Sequence, residues 1–319
     1  MQKKTLFIWM IGLSLLLSAC SQVSQSSKAE EKKTIGLLVT DSGLGDNSFS
    51  DSALQGLERA RDELGVFFNY KEPLTGNYVG YLEDLVKEGH DLIVGLGFES
   101  QEAVEEMAKK YPDQKFLLID AVSSQPNVTS LTFKEDEGSY LIGLIAGMRT
   151  ESNHVGFIGG MDIPVVKNFE KGFKEGVQNA NPDATISVDY IGDFDNDDKA
   201  AELAEKQIAD GADHIFPVAG YAGVGALKES QKQGVYSFGV DSDQYFLAEE
   251  SIVTSMMKRI DVALFDIAKQ LKESSFEQGK HIQLGLKEEA VGLAPIRIIK
   301  LTNPQRDTLE EAMKKGGNE

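Results

Sequence analysis

From residue 34 onward, short runs of β-type residues alternate with helical stretches along nearly the whole chain. The runs are rich in Ile, Val, Leu and Phe and show little apolar–polar alternation, as is typical of parallel strands covered by helices on both faces. Regular alternation of strands and helices predicts doubly wound α/β domains with parallel sheets. The predicted strands lie at residues 34–40, 92–97, 116–119, 128–133, 155–159, 186–190, 214–218 and 235–240. The predicted helices lie near residues 48–64, 78–88, 99–110, 137–149, 166–179, 197–210, 223–233 and 257–273.

The two halves of this pattern repeat each other at a nearly constant distance along the sequence. Three segments of the first half match three of the second at offsets of 120, 122 and about 121 residues: 35–37 with 155–157, 91–93 with 213–215, and 118–120 with 239–241. Three matches in register predict two lobes of one topology. Such sheets bind ligands beyond the carboxyl ends of their strands, so we expect a shared cleft between those ends.

The first twenty residues have the features of a bacterial export signal. Lys3 and Lys4 precede an apolar run over residues 6–17, which is too short for an ordinary membrane-spanning helix. The run ends in Leu17-Ser18-Ala19-Cys20, which resembles the lipobox of bacterial lipoproteins. That resemblance implies cleavage after residue 19 and acylation of Cys20. The alternative is a plain signal peptide with an incidental cysteine.

These features predict where the protein resides and how the chain is divided. Residues 1–19 form the predicted lipoprotein signal peptide, and the polar residues 20–33 form a predicted flexible tether. We therefore expect a domain that its lipid anchor holds on the outer, extracytoplasmic face of the cell membrane. The predicted first lobe contains residues 34–150 and about 257–280, and the predicted second lobe residues 151–256 and about 281–319.

Charge and cysteine content exclude several classes of function. The chain has 32 Lys and Arg against 51 Asp and Glu, a formal net charge of −19. This charge argues against nucleic acid as a partner, because phosphate contacts need clustered Lys and Arg. The single cysteine rules out a disulfide framework and a cysteine-based zinc site. The sequence has no G-x-x-x-x-G-K-[ST] motif, so the chain is not an ATPase, and we expect no cofactor and no metal.

Acidic residues stand directly after three of the predicted strands, at the expected cleft. They are Asp41, Asp120 and Asp241, and the first begins a glycine-rich loop that contains Asp46 and Asn47. Ionised carboxylates accept hydrogen bonds, which suits ligands that carry hydroxyl or N–H groups, as sugars and nucleosides do. The same acids would repel phosphate, which favours a nucleoside over a nucleotide. An alternative for each aspartate is the N-cap of a helix.

Two aromatic rings, a glycine and a lysine complete the candidate binding residues. Phe49 opens the first predicted helix, and Phe216 lies in the predicted strand at residues 214–218. Gly220 follows that strand, and Lys258 is placed at the start of the last predicted helix. A flat base sandwiched between the two rings, with its hydroxyls on aspartates, is the ligand that this set describes. In the alternative, both rings belong to the core and Lys258 is solvated.

At these residues the chain resembles the basic membrane protein family, the substrate-binding lipoproteins of bacterial ABC importers for purine nucleosides. The resemblance extends over about residues 33–305. The family's entry pattern is a strand, an aspartate, a glycine-rich turn and Asp-x-Ser-Phe before a helix. In this chain the motifs are Leu38-Val39-Thr40-Asp41, Gly43-Leu44-Gly45, Asp46-Asn47-Ser48-Phe49, Leu118-Ile119-Asp120, Ile215-Phe216, Ala219-Gly220, Val240-Asp241 and Ser255-Met256-Met257-Lys258.

The resemblance implies a type I periplasmic-binding-protein fold, with two lobes joined by a three-segment hinge. It also implies a purine base stacked between two rings and a ribose held by charged groups. The implied contacts are stacking by Phe49 and Phe216, base N–H groups on Asp46, a cleft lined by Asp41, and ribose contacts from Asp120, Asp241 and Lys258.

We therefore expect a monomeric substrate-binding protein, not an enzyme, that captures adenosine, guanosine or inosine and delivers it to an ABC permease. Two alternatives stay open at this point: a ligand sensor of the same fold that signals to a membrane partner, and a receptor for a sugar. A nucleoside-processing enzyme is disfavoured because no positioned general acid–base pair is evident in the sequence.

Overall fold

The structure, a computed structural model, describes residues 32–316. Within these residues the strands, in chain order, are β1 Thr34–Leu38, β2 Phe67–Lys71, β3 Leu92–Leu96, β4 Phe116–Ile119, β5 Val128–Phe133, β6 His154–Gly159, β7 Thr185–Tyr190, β8 His214–Val218, β9 Tyr236–Asp241, β10 Ile252–Lys258, β11 His281–Leu284 and β12 Val291–Leu293. The helices are α1 Phe49–Leu64, α2 Tyr78–Glu88, α3 Gln101–Lys110, α4 Glu135–Arg149, α5 Pro164–Ala180, α6 Asp197–Ala209, α7 Gly223–Gln233, α8 Ile260–Lys272 and α9 Asn303–Gly316.

The strands form two six-stranded sheets with one topology. Their orders are β11-β5-β4-β3-β1-β2 and β12-β10-β9-β8-β6-β7. Equivalent strands also pair in equivalent register, since Ile35 lies opposite Leu92 in the first sheet and Val155 lies opposite His214 in the second. Neighbouring strands are parallel, except that β10 and β12 are antiparallel. The predicted α/β fold with two matched parallel-sheet lobes is therefore confirmed.

The apolar strand runs lie between helices and form the core. All five residues of β3 and four of the five in β1 are buried, as expected where helices cover both faces of a parallel sheet. Helices α4 and α5 pack especially closely through glycines. A Cβ atom on Gly143 or on Gly176 would collide with the main chain of the facing helix. These glycines therefore permit the close approach of the two helices.

The chain passes between the two sheets three times, after β5, after β10 and after β11. Main-chain hydrogen bonds tie the crossing segments together. Lys134 N donates to Leu284 O at 2.8 Å, and Arg259 N donates to Ala290 O at 2.8 Å. Three adjacent crossings agree with the three-segment hinge that the family resemblance implies.

The crossings correct two of the expected lobe boundaries. We expected residues up to 150 in the first lobe, but α4 packs against α5 and β10 of the second lobe. We expected residues from about 281 in the second lobe, but β11 pairs with β5 in the first sheet. The physical reason is that α4 buries its glycine-containing face on α5, whereas β11 completes the edge of the first sheet. Among the described residues, every helix is too short or too polar to span a bilayer.

Candidate functional site

A cleft lies between the two lobes at the carboxyl ends of their strands, as the sequence predicts. It encloses about 670 Å³, part of which is open to solvent. The first lobe contributes the loops after β1, β3 and β4. The second lobe contributes the start of α5, the loop after β7 and the ends of β8, β9 and β10. The predicted residues that line the cleft are Asp41, Asp46, Phe49, Asp120, Gly220, Asp241 and Lys258.

Asp120 and Asp241 occupy equivalent positions in the two lobes. Asp120 follows β4, and Asp241 ends β9, the matching strand of the second sheet. Both residues have left-handed backbone conformations, with φ of 66° and 63°. Such conformations are uncommon for residues other than glycine, and aspartate is among the residues that tolerate them. The duplicated turn therefore directs one carboxyl group from each lobe into the cleft.

Lys258 lies at the floor of the cleft and is only 1% exposed. Its ammonium group forms an ion pair with Asp120 of the first lobe and lies 3.1 Å from Glu135 Oε1. Burial opposes its charge, but Asp120, Glu135 and Asp241 outweigh that effect, so the pKa of Lys258 is raised above its ordinary value. Lys258 is therefore a charged residue shared by carboxylates of both lobes.

The expected placement of Lys258 at the start of a helix is wrong. Lys258 is the last residue of β10, and α8 begins at Ile260. The candidate residues chosen from the sequence also omit Glu135, which opens α4 and is 2% exposed. Burial raises the pKa of Glu135, and Lys258 partly offsets this rise. The signal in the sequence was an acidic residue at the junction between a predicted strand and a predicted helix.

The loop before α1 holds two more buried polar residues, Asp46 and Ser48. Asp46 accepts hydrogen bonds from the amides of Ser48, at 2.9 Å, and Ser50, at 2.8 Å, so it caps α1. The expected contact between Asp46 and a base stays a prediction. Ser48 Oγ donates to Asp241 Oδ2 at 2.7 Å and thereby links the two lobes. Burial raises the pKa of Asp241 to about 6, although Lys258 opposes the rise.

Phe216 does not reach the cleft, so the predicted stacking role of this residue is wrong. Its side chain is fully buried, and its ring centroid lies 5.4 Å from that of Phe173, 5.9 Å from that of Phe157 and 6.3 Å from that of Phe238. The side chain therefore points from β8 into the helix-covered face of the sheet. The alternative that we left open, a core position, is the correct one.

Phe194, in the loop after β7, lines the cleft from the second lobe, as do Phe169 of α5 and Tyr221. A Cβ atom on Gly160 would collide with this ring, so the glycine leaves room for it. Phe49 lines the cleft from the first lobe. The signal in the sequence was an aromatic residue within the acidic loop at residues 193–198.

Asn47 also falls outside the cleft lining, contrary to expectation. Its side-chain Nδ2 donates to Gly45 O at 3.2 Å. Its main-chain oxygen accepts hydrogen bonds from Ser242 Oγ at 2.6 Å and from Gln244 Nε2 at 3.3 Å. Asn47 therefore joins the two lobes at the rim of the cleft through its backbone rather than through its amide side chain.

The electrostatics of the cleft disfavour an anionic ligand. Within residues 32–316, five carboxylic acids line the cleft and Lys258 is the only basic residue of the lining; the acids are Asp41, Asp46, Glu99, Asp120 and Asp241. Burial and then the charge of Asp195 raise the pKa of Asp41. A phosphate group would meet a surplus of negative charge, whereas hydroxyl and N–H groups would find acceptors.

Comparison with known proteins agrees with this geometry. A family model described as "ABC transporter substrate-binding protein PnrA-like" matches residues 32–317. Basic membrane protein A of Borreliella burgdorferi is 34% identical over 286 residues, covering 88% of this chain and 84% of that protein. The ABC transporter nucleoside-binding protein BmpA of Lactococcus lactis is 30% identical over 321 residues, covering 92% of each chain. A solved solute-binding protein of an ABC transporter system from Aeropyrum pernix is 30% identical, covers 90% of this chain and 91% of its own, and superposes with a TM-score of 0.81.

Proposed function

Because the chain belongs to the PnrA-like family of ABC transporter substrate-binding proteins, we propose that it captures a purine nucleoside and delivers it to a membrane permease. The family consists of binding proteins, and the chain is not an enzyme. The nucleoside-binding protein of Lactococcus lactis is a relative over most of its length, which supports this ligand class.

The observation that carries the proposal is a free acceptor atom on Asp120. One carboxylate oxygen of Asp120 is paired with Lys258, whereas Oδ1 is buried and has no hydrogen-bond partner within residues 32–316. A buried acceptor without a partner costs free energy, and a ligand hydroxyl would remove that cost. Asp241 offers a second carboxylate from the other lobe. A vicinal diol, as in ribose, suits such a pair of acceptors.

Aromatic residues on both sides of the cleft support a flat base as the other part of the ligand. Phe49 lines the cleft from the first lobe and Phe194 from the second. Stacking on each ring would contribute about 0.5–1.5 kcal/mol beyond the burial of apolar area. Because the ligand would contact both lobes, it would bind the closed arrangement of the lobes better than an open one. The closed, loaded form is the form that we propose the permease recognises.

Calorimetry tests this function directly. The protein is titrated with adenosine, guanosine and inosine, and with ribose and adenosine monophosphate as controls. We expect micromolar or tighter binding of at least one nucleoside, weaker binding of ribose because it lacks the base, and weak binding of the phosphorylated compound because of the acidic lining. If ribose bound and no nucleoside did, the proposed ligand would be a sugar and not a nucleoside. A mass spectrum of the small molecules released from natively purified protein would identify the ligand independently.

Phe194, which lines the cleft, and Phe216, which lies in the core, provide a matched pair of variants. Phe194→Ala is expected to weaken nucleoside binding about tenfold, because it removes one stacking face from the cleft. Phe216→Leu is expected to leave affinity within about twofold and to lower the free energy of unfolding by about 1–2 kcal/mol, because Phe216 packs in the core. Calorimetry and urea unfolding measure the two effects. If Phe216→Leu lost affinity for the nucleoside without losing stability, Phe216 would be a ligand contact and not a core residue.

We further propose that Cys20 carries a lipid that anchors the protein on the extracytoplasmic face of the membrane. Cys20 lies outside the described residues, so this proposal rests on the sequence at residues 17–20. Cys20→Ser is expected to abolish labelling of the protein by a fatty-acid analogue and to reduce the fraction of the protein that is bound to the membrane. Ser21→Ala is the matched control. Fatty-acid labelling that persists in Cys20→Ser would place the lipid elsewhere.

A further inference from the structure

Glu99 is an acidic residue of the cleft that neither the sequence motifs nor the proposed ligand contacts include. It lies in the short 3-10 turn Phe98–Ser100 that follows β3, between the strands that lead to Asp41 and Asp120. Its side chain lines the cleft. The carboxyl group folds back over Gly97, where a Cβ atom would collide with it. Gly97, with φ of 76°, therefore allows this carboxyl group to lie against the main chain.

The charged groups with the largest electrostatic influence on Glu99 are acidic. Asp41 follows β1, Asp120 follows β4, and Asp195 reaches it from the loop after β7 in the second lobe. Tyr78 of α2 is the fourth neighbour, and its hydroxyl is buried. Lys258, the basic residue of the cleft, forms its ion pairs with Asp120 and Glu135 rather than with Glu99.

The surroundings of Glu99 favour its neutral form. Burial, followed by the charges of Asp41, Asp120 and Asp195, raises the pKa of Glu99 to about 7. A ligand that covers the cleft removes more water and leaves the same acidic neighbours in place. Binding should therefore move the equilibrium of Glu99 further toward protonation, unless the ligand itself brings a positive charge.

We propose that Glu99 binds the nucleoside in its protonated form, as a hydrogen-bond donor, so that ligand capture takes up a proton. The proton passes from solvent to the Glu99 carboxyl group, which then donates to an acceptor atom of the ligand, such as a ring nitrogen or a carbonyl oxygen of the base. This assignment rests on the proposed function and deepens it. It makes Glu99 a specificity-determining residue, because a base that presents an acceptor at this position receives a hydrogen bond that an ionised carboxylate does not offer.

The expected pH dependence has a definite sign. Binding raises the pKa of Glu99 above its value of about 7 in the free protein. The contribution of Glu99 to affinity is therefore fully present below pH 7 and is lost as the pH rises toward the pKa of the complex. Above pH 7, affinity should fall by up to tenfold for each pH unit. An ionised Glu99 that accepted a base N–H group would give the opposite sign.

The test is titration calorimetry of the full-length protein with nucleoside at pH 8, in two buffers that differ in ionisation enthalpy. We expect the wild type to take up between about 0.5 and 1 proton per nucleoside bound. Glu99→Gln keeps the shape and a donor but cannot titrate, so it should lose most of this uptake and the decline of affinity between pH 7 and pH 9. Glu102→Gln is the control, because Glu102 is exposed on α3 and loses the same charge.

The proton uptake of the wild type and of the two variants decides whether Glu99 has the proposed role. Proton release by the wild type, or an uptake in Glu99→Gln equal to that of the wild type, would overturn the role of Glu99 while nucleoside binding itself still stands. An uptake that Glu99→Gln loses and Glu102→Gln retains supports it. If no nucleoside binds to the wild type at any pH, the proposed function fails and this inference fails with it. If Glu99→Gln does not fold, proton release by the wild type would still overturn the inference.

Discussion

Replacing Asp120 with asparagine is expected to weaken nucleoside binding more than tenfold while the protein stays folded. The carboxylate offers a buried, unpaired oxygen to the ligand, and a hydrogen bond to a charged group contributes about 1.5–3 kcal/mol, or roughly 10- to 150-fold in affinity. Asparagine is the better replacement because it tolerates the left-handed conformation at φ of 66°, in which alanine would be strained. Lys258 would still have Glu135 as a partner.

Calorimetry with each purine nucleoside measures the loss of affinity, and thermal unfolding without ligand checks the fold. Asp113→Asn is a suitable control, because Asp113 is exposed in the same lobe. Asp241→Asn is expected to weaken binding by a similar factor, since Asp241 is the equivalent residue of the second lobe. If both Asp120→Asn and Asp241→Asn bound nucleoside with wild-type affinity, the carboxylates would not be ligand contacts.

Lys258→Met is expected to lower the free energy of unfolding by about 3–5 kcal/mol at neutral pH. The substitution keeps an unbranched side chain of similar length but leaves Asp120 and Glu135 buried without their cation. Removing one partner of a buried ion pair is costly because the remaining charge is uncompensated. Lys232→Met is the matched control, and its effect should stay below about 1 kcal/mol because Lys232, which pairs with Glu229, is largely exposed.

The pH dependence of Lys258→Met provides a second test. Without the lysine, nothing offsets the effect of burial, which raises the pKa of Glu135 in the folded state above its unfolded value. The folded state then binds more protons than the unfolded state, so the contribution of Glu135 to stability is fully present below the unfolded pKa and falls as the pH rises. Urea unfolding at pH 5 and pH 8 should show the smaller deficit at pH 5. A deficit that is independent of pH would mean that packing, and not charge, explains the loss.

A double variant separates charge from shape in the same region. Glu135→Gln removes one of the two carboxylates that Lys258→Met leaves uncompensated. The variant with both substitutions should therefore be more stable than Lys258→Met alone at pH 8, because fewer buried charges lack a partner. Additive losses in the double variant would show that the two side chains do not interact.

Much of the fold follows from local patterns. The strand–helix alternation predicted the two parallel-sheet lobes, and the offset near 120 residues predicted their common strand order. The resemblance to the basic membrane protein family is confirmed by the family match. The strands absent from the sequence prediction are mostly short or exposed edge strands, such as β2, none of whose residues is fully buried, and β12, which has three residues. Long-range pairing, rather than local apolar content, defines these strands.

The errors at the site have a common physical cause. Phe216 lies in a strand that is buried on both faces, and such a strand lacks the alternation that would show which way each side chain points. Asp120 and Asp241 are predictable from the sequence because they stand at the carboxyl ends of strands. All carboxyl ends of a parallel sheet lie at the same edge, so the position along the chain is enough to place these residues at the cleft. A buried lysine at the end of a strand is exceptional, and only the facing carboxylates make it stable, so the local sequence does not predict that β10 ends at Lys258.

The hydrogen bonds at the rim of the cleft have a consequence for how this protein can vary among its relatives. Ser242 and Gln244 both bind the main-chain oxygen of Asn47, which every amino acid possesses. The torsion angle there, φ of 51°, is the remaining restriction, and it admits glycine, asparagine and aspartate most readily. We therefore expect glycine, asparagine and aspartate to be interchangeable at position 47 while the lobes keep their contact, because the contact depends on backbone geometry and not on side-chain chemistry.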